Sequence, residues 1–502
     1  MAGRKEHGAE FPMPIKAVPY HHQMEAFRFA CGLFGILPGA GKESGSRDAP
    51  PRQPGAGCAL LMEMGTGKTL TTIGITGALS NAGRIRRVLV VAPLSILGVW
   101  EDEFQKFADF PYCLVVLSGN GSRKRDTLRH MAGASLQVAV VNYESAWRME
   151  KDLGAWRPDL IVVDEGHKIK THNISASRAL HRLGAKAGYR LLLTGTVITN
   201  KAVDVFSQYK FVNPAIFGQS FYAFRGRYFD MVGYGNHTPV LKKSMEAELM
   251  ERMHSIAFRA TKAECLDLPE MTDILRQVEL EPPALQIYRG LVKESYAELS
   301  GGEVTATNIL TRLLRLSQLT GGFIGNDETS AVEQVSCAKL SALEDILDGI
   351  MAEGKKLVII ARFVPEIKAI CRLLENRKLR YSCIAGDVRD REAQVAAFQN
   401  EPEVMVFVGQ IATAGLGITL TAASTMVFYS LDYSMSNFEQ AKARIHRVGQ
   451  RCPAPTCTWW RGGRWMRRCW RLWAIRLILP GRWWTITAAG GTRLHERRMY
   501  GF

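Results

Sequence analysis

The sequence predicts an α/β fold made of two doubly wound parallel-sheet lobes with a helical insertion between them. Apolar segments of strand length alternate with helical or polar stretches in two series, a rhythm typical of doubly wound sheets. The first series comprises residues 59–62, 88–93, 114–117, 138–143, 160–165 and 191–196, and the second comprises 356–363, 404–409 and 425–430. Between the two series, leucines recur at three and four residues across 309–319, which indicates a helix.

Length and composition are those of a chain with several domains in an aqueous compartment. Its 502 residues, 47% of them hydrophobic, exceed what a single core usually contains. No apolar run reaches the roughly 18 residues of a membrane span, and the first ten residues lack the apolar stretch of a secretory signal. The ten cysteines form no CxxC pairs, so neither a disulfide framework nor a zinc site is supported. We expect a cytoplasmic protein without a membrane or zinc partner.

The pattern divides the chain into four parts. We predict an N-terminal lobe over residues 1–215, which contains a flexible surface insertion at 37–57 that is rich in Gly, Pro and Ser. A helical insertion and linker follow over 216–335, and the C-terminal lobe covers 336–450. The remaining residues, 451–502, form a tail of atypical composition.

A glycine-rich loop follows the first predicted strand and precedes a helix-like segment. It is formed by Gly65, Thr66, Gly67, Lys68 and Thr69. Glycine amides can approach phosphates closely, Lys68 can neutralise the β- and γ-phosphates of ATP, and the Thr69 hydroxyl can hold Mg²⁺. The strict eight-residue pattern has glycine where this chain has Met62, and an ordinary glycine turn is the alternative. ATP and Mg²⁺ are the cofactors that this loop predicts.

Two adjacent carboxylates, Asp164 and Glu165, end the apolar strand segment that begins at residue 160. Strand-end carboxylates of a parallel sheet lie at the crevice where ligands bind. Asp164 can position Mg²⁺ through water, and Glu165 can orient and deprotonate the attacking water. The alternative, a pair of solvated surface acids, is disfavoured by the four apolar residues directly before them.

A basic segment near residue 450 carries Arg444 and Arg447, three residues apart. On a helix this spacing places both side chains on one face. Arginines presented to a γ-phosphate from an opposite lobe stabilise the charge of the transition state. Taken alone, the segment could equally be a solvated basic helix face.

Taken in order, these motifs resemble the Swi/Snf family of the helicase superfamily two, over about residues 15–450. The resemblance implies two RecA-like lobes and an ATP site that includes Gln23, Gly417 and Gln440. It implies that ATP hydrolysis is coupled to nucleic acid through His167, Thr194, Gly195 and Thr196. It also implies that the phosphate backbone of the nucleic acid is held by Pro93, Thr419 and Thr421.

Three features favour Swi/Snf over the DEAD-box RNA helicases. Motif III reads Thr-Gly-Thr, motif VI ends in Gly449-Gln450, and about 160 residues separate motif III from the second lobe. Two departures stand out, Gly166 where the family usually has Ala and Val197 where it usually has Pro, and we expect activity to survive both.

The resemblance implies an ATP-dependent translocase on double-stranded DNA, of a small bacterial or phage type. One alternative is a strand-separating DNA or RNA helicase of the same superfamily. The other is a catalytically impaired nucleic-acid-binding remnant, which the altered C-terminus suggests.

The tail holds eleven arginines, one acid and seven of the ten tryptophans, so it carries +10 of the net charge of +16. We predict that residues from about Pro455 onward are a frameshifted reading of the family's C-terminal segment. Read from the third base of each codon, Arg464–Trp473 can encode Val-Asp-Glu-Lys-Val-Leu-Glu-Ala-Leu, which resembles that segment. The alternative is a genuine Trp/Arg tail that binds nucleic acid or a membrane surface.

Overall fold

The structure is a computed structural model in which two parallel sheets form the framework. It describes residues 11–37, 56–131, 133, 135–195, 202–232, 238–266, 268–269, 271–301, 306–325, 332–386, 390–411, 418–432, 434–447, 450 and 456–460. Thr196, Gly417, most of the predicted insertion at 37–57 and the tail beyond Trp460 therefore lie outside the described residues. The predicted fold class, two α/β lobes with parallel sheets, is confirmed.

The first lobe is built on a seven-stranded sheet with the order β3-β4-β2-β5-β6-β1-β9, in which every pair is parallel. Its central strands are buried along their length, which is why they appear in the sequence as continuous apolar runs. Strands β1 to β9 are, in order, Ala56–Met62, Arg87–Ala92, Tyr112–Val116, Leu136–Asn142, Leu160–Asp164, Tyr189–Thr194, Phe229–Val232, Thr238–Leu241 and Ala257–Ala260. Of these, β7 and β8 form a separate antiparallel hairpin.

Helices cover both faces of this sheet and create two cores, one on each side. Helices α1 to α12 are, in order, His21–Leu33, Lys68–Asn81, Leu97–Phe107, Gly121–Arg129, Tyr143–Arg148, Glu150–Trp156, Ser175–Gly184, Val205–Val212, Pro214–Phe217, Phe221–Tyr228, Glu246–His254 and Lys262–Cys265. Leu249, Met250 and Met253 of α11 belong to one of these cores, so part of the predicted insertion packs on the first lobe.

The second lobe has a six-stranded sheet with the order β10-β17-β16-β13-β15-β14, again entirely parallel. Strands β10 to β17 are Asp273–Gln277, Phe323–Gly325, Val332–Gln334, Lys356–Ala361, Arg380–Ile384, Val404–Gln410, Ala423–Phe428 and Thr456–Trp460. Helices α13 to α18 are Pro282–Gly301, Ala306–Thr320, Ala338–Ala352, Val364–Asn376, Arg391–Asn400 and Met435–Ile445. Strands β11 and β12 pair with each other outside the main sheet.

The segment predicted as a helical insertion, 216–335, also gives one strand to each lobe. Strand β9 pairs with β1 in the first sheet, and β10 pairs with β17 in the second. These strands have only four and five residues, too few to show an alternating pattern in the sequence. The domain boundaries at 215 and 335 remain predictions. Strand β9 pairs with β1 across the first boundary, and β10 pairs with β17 across the second.

Strand β17 lies in the region predicted to be frameshifted. It is inserted between β10 and β16, and its first amide, at Thr456, donates to Thr272 O at 2.8 Å. Cys457 is buried in the second lobe. The frameshift itself stays a prediction.

Within the described part of the chain, no helix combines the length and apolar character needed to cross a membrane.

Candidate active site between the lobes

The glycine-rich loop joins β1 to α2, as the sequence predicts. Gly65 and Gly67 have φ angles of 87° and 92°, in the left-handed region that favours glycine. A Cβ atom at Gly67 would lie 2.1 Å from Gln23 Nε2, so a larger residue there would displace the Gln23 side chain. Helix α2 begins at Lys68, and its first amides have no partner within the helix. The loop can therefore offer several N–H groups to an anion.

Gln23 and Lys68 both contact the backbone of this loop. Gln23 is buried, donates from Nε2 to Thr66 O at 3.0 Å, and accepts the Tyr20 amide on Oε1 at 3.0 Å. Lys68 Nζ donates to Met62 O at 2.9 Å, so its ammonium lies over the start of the loop. Both side chains lie where the sequence predicts nucleotide contacts.

Asp164 is the last residue of β5 and is buried. Its carboxylate accepts the Trp100 indole N–H at 3.1 Å and the Glu165 amide at 2.9 Å. Burial, and next the charge of Glu165, raise the pKa of Asp164 to about 7, although Lys68 opposes the shift. A buried carboxyl whose negative charge is so poorly compensated suits a bound cation. The Asp164 carboxylate therefore suits the Mg²⁺ predicted from the sequence, and Thr69, the other predicted donor, is the second residue of α2.

Glu165 follows with a φ of 54°, an uncommon backbone conformation for a residue with a side chain. Such strain persists mainly at functional sites. Its Oε2 lies 3.3 Å from His167 Nδ1. Burial alone would raise the pKa of Glu165, but the His167 contact and the charges of Lys68 and Arg444 lower it below its ordinary value. The side chain is then an ionised carboxylate, as a group that accepts a proton from water must be.

Motif III and one residue that the sequence analysis missed surround these carboxylates. Thr194 ends β6 and is buried, and a Cβ atom on Gly195 would lie 3.5 Å from Met62 O, next to the start of the glycine-rich loop. The missed residue is Tyr143, whose hydroxyl donates to the Asp164 carbonyl. Its signal in the sequence is its place directly after β4, at the same edge of the sheet as Asp164.

The two arginines reach the cleft from the second lobe, but not from one helix face. Helix α18 ends at Ile445, so Arg444 lies in its last turn and Arg447 lies beyond it. The prediction that both share a helix face is therefore wrong, because the backbone leaves the helix at His446. Arg447 nevertheless approaches the glycine-rich loop, with its Cβ 3.4 Å from a Cβ built on Gly65.

Arg444 is held close to the carboxylates of the first lobe. Burial, and next the charge of Arg447, lower its pKa to about 10, while the negative charge of Glu165 opposes the shift. Gln440, one turn earlier on α18, is buried as well. The cleft thus combines a glycine-rich loop, two carboxylates and two arginines, contributed by both lobes.

Of the three residues predicted to hold nucleic acid, Thr419 connects to this cleft through a hydrogen bond to Arg447. Arg447 Nη1 donates to Thr419 Oγ1 at 2.8 Å, and the Leu420 amide donates to Arg444 O at 3.0 Å. Thr421 Oγ1 accepts a longer contact of 3.4 Å from Gln399 Nε2. Pro93, in the first lobe, is partly buried at the end of β2.

Comparison with known proteins finds two family matches. Residues 22–321 match the SNF2-related domain, and residues 338–449 match the helicase conserved C-terminal domain. The first match covers more than half of the chain.

Individual relatives share about a quarter of their residues with this chain. It is 27% identical to Chromodomain-helicase-DNA-binding protein 1-like of Danio rerio, over 79% of the chain and 39% of that protein. It is also 27% identical to the ATP-dependent DNA helicase DDM1 of Arabidopsis thaliana, over 80% of the chain and 56% of that protein. A SWI2/SNF2 ATPase core of Sulfolobus solfataricus, solved with double-stranded DNA, is 25% identical with a TM-score of 0.45, covering 93% of both chains. The chain thus spans roughly half the length of the curated relatives it matches.

Proposed function

Because this chain belongs to the SNF2-related domain family, we propose that it is an ATP-driven motor that moves along double-stranded DNA. One observation carries the proposal: arginines of the second lobe meet the phosphate loop and Glu165 of the first. ATP bound at the loop would contact both lobes at once. Hydrolysis would then change how the lobes sit on a shared substrate, which is what a motor requires.

In this proposal Lys68 neutralises the phosphates, and Gln23, Gly417 and Gln440 complete the nucleotide contacts. Glu165 orients a water and takes its proton, while Arg444 and Arg447 stabilise the charge that develops on the γ-phosphate. Mg²⁺, when bound, supplies further positive charge, and Thr69 and Asp164 are the residues that would hold it.

Motif V, which the family resemblance assigns to residues 415–421, would provide a route from the nucleotide to the DNA. Thr419, proposed to hold the phosphate backbone with Thr421 and Pro93, is hydrogen-bonded to Arg447. His167, Thr194, Gly195 and Thr196 would provide the coupling in the first lobe. A grip on phosphates is independent of sequence and weakens as salt rises.

Double-stranded DNA is the substrate we propose, because the curated relative from Arabidopsis is named as a DNA helicase. The two curated relatives named above are eukaryotic, and the bacterial or phage type and the cytoplasmic location remain predictions from the sequence. Strand separation and an inactive DNA-binding remnant are the competing functions.

One set of assays separates these functions. The purified chain is assayed for ATP hydrolysis with and without duplex DNA, for displacement of a triplex-forming strand, and for unwinding of a forked duplex. A translocase hydrolyses ATP faster with duplex DNA and displaces the third strand without unwinding the fork. Unwinding of the fork would identify a helicase, and DNA binding without hydrolysis would identify the remnant.

The catalytic assignment is tested in the same assays. Glu165→Gln should abolish hydrolysis and still bind ATP, because only the carboxylate that takes the proton is lost. Glu375→Gln, at an exposed position of the second lobe, is the matched control and should hydrolyse ATP normally. Hydrolysis by Glu165→Gln at near the parent rate would contradict the role of Glu165.

A further inference from the structure

Lys262 lies where the chain leaves the first lobe. The preceding strand, β9, ends at Ala260, whose carbonyl accepts the Glu63 amide at 2.9 Å. The Lys262 amide in turn donates to Glu63 Oε2 at 2.8 Å. Glu63 lies two residues before the first glycine of the loop, so the backbone of Lys262 is fastened next to the proposed phosphate site.

The side chain of Lys262 crosses to the second lobe. Its Nζ donates to His446 O at 2.8 Å, in the short stretch between Arg444 and Arg447. Its Cε lies 3.6 Å from a Cβ built on Gly65, and Arg447 Cβ lies 3.4 Å from the same point. Lys262 and Arg447 therefore pack against one glycine of the phosphate loop from two sides.

The charges around Lys262 favour this bridge. His446 is the C-cap residue that follows α18, and carbonyls at a helix C-terminus accept bonds from cations. Glu63 and Glu439 surround the ammonium with negative charge. Burial is the largest influence and, with Lys68 and Arg447, it outweighs those carboxylates and lowers the pKa of Lys262 to about 8.

We propose that Lys262 is a positioning residue that couples closure of the lobes to placement of the arginines. By holding the carbonyl between Arg444 and Arg447, it fixes the backbone that presents both side chains to the phosphate loop. When the lobes separate, this bond breaks and the backbone of motif VI is released. The inference rests on the proposed ATPase and adds the residue that aligns its two halves.

Three variants of the full chain test it. Lys262→Met removes the charge and the donor at nearly constant length, and Lys262→Arg keeps a donor. Lys242→Met is the control, since Lys242 lies in the same inserted segment, is also partly buried, and likewise donates to a backbone carbonyl, Gly226 O at 2.8 Å. Melting temperatures confirm that each variant is folded.

Two readouts are measured. The first is the change in kcat of each variant compared with the change in its affinity for ATP. The second is the distance between dyes attached through non-natural amino acids at Ser122 and Arg372, exposed positions on the two lobes, with a non-hydrolysable ATP analogue. The dye distance reports closure whether or not DNA stimulates hydrolysis, so a failure of the proposed function is recognised separately.

We expect Lys262→Met to lower kcat at least about tenfold, the effect of losing one charge-assisted hydrogen bond, with little change in ATP affinity. The analogue should no longer hold the dyes at the closed distance. Lys262→Arg should recover part of both signals, and Lys242→Met should match the parent. Parent-like kcat and closure in Lys262→Met would overturn the proposal. A loss of ATP affinity in Lys262→Met as large as its loss of kcat would also overturn the proposal, because Lys262 would then be a phosphate ligand.

Discussion

Arg444 and Arg447 illustrate how single residues of one lobe depend on the other. Replacing either by alanine should lower turnover on the order of a thousandfold, the scale known for arginine fingers, with a smaller effect on ATP affinity. Lys442→Ala is a control on the same helix, because its ammonium binds Asp273 at 2.9 Å rather than the cleft. Single-turnover kinetics and nucleotide titration make the comparison. Lost nucleotide binding with unchanged turnover of the bound fraction would contradict this role.

Gly166, where the family usually has alanine, is fitted to its own surroundings. A Cβ atom there would lie 2.6 Å from Leu192 Cδ1, inside the buried sheet. Gly166→Ala should therefore destabilise the first lobe by about 1–3 kcal/mol through overpacking. Adding Leu192→Val should recover part of that loss, because the two side chains are in contact. Denaturant unfolding of the two single variants and the double variant measures the coupling, and strictly additive effects would exclude the contact.

The residues that sequence analysis identified share one property, a local pattern. Lys68 follows two glycines, and Asp164 follows an apolar strand, so each carries its own signal. Lys262 has no such signal, because its role comes from a partner 184 residues away. The prediction that the two arginines share a helix face was wrong, because their spacing in the sequence does not reveal where α18 ends.

At the scale of elements, the strands that could be predicted most directly are those whose own residues form a continuous apolar run. The apolar runs that became β1, β2, β4 and β13 are buried along almost all of their length. Strand β14, by contrast, begins at an exposed residue and then alternates partly buried and buried positions, and β9 has only four residues. Such strands are held by their neighbours in the sheet, which the sequence alone does not reveal.

Strand β17 gives a test of where the ordered second lobe ends. It pairs with β10 on one side and β16 on the other, and Thr456 is completely buried. A variant that ends at Trp460 should melt like the full chain, because we predict that the residues beyond Trp460 do not pack natively. A variant that ends at Pro455 should melt at least about 5 °C lower, since it loses an interior strand.

The two truncations are compared by calorimetry, and resequencing of the gene checks the frame directly. A large loss of stability in the variant that ends at Trp460 would show that the tail packs. An intact frame near codon 455 would exclude the frameshift.

Most of the net positive charge of the whole molecule lies in the C-terminal tail, and this charge should influence the affinity for DNA. Ending the chain at Trp460 removes ten arginines and one glutamate. We expect this variant to bind duplex DNA with a weaker dependence on salt, because fewer phosphates are neutralised. Its maximal DNA-stimulated ATP hydrolysis should stay close to that of the full chain. Loss of the stimulation would show that the tail takes part in the motor.

The indole of Trp100, whose N–H binds the Asp164 carboxylate, gives the cleft a fluorophore of its own. Light absorption redistributes electron density across an indole ring, so its emission colour depends on the charge beside its nitrogen. A cation that arrives at Asp164 changes that charge, and its departure restores it. Each turn of the hydrolytic cycle is therefore expected to shift the emission of one tryptophan twice, once in each direction, without any attached dye.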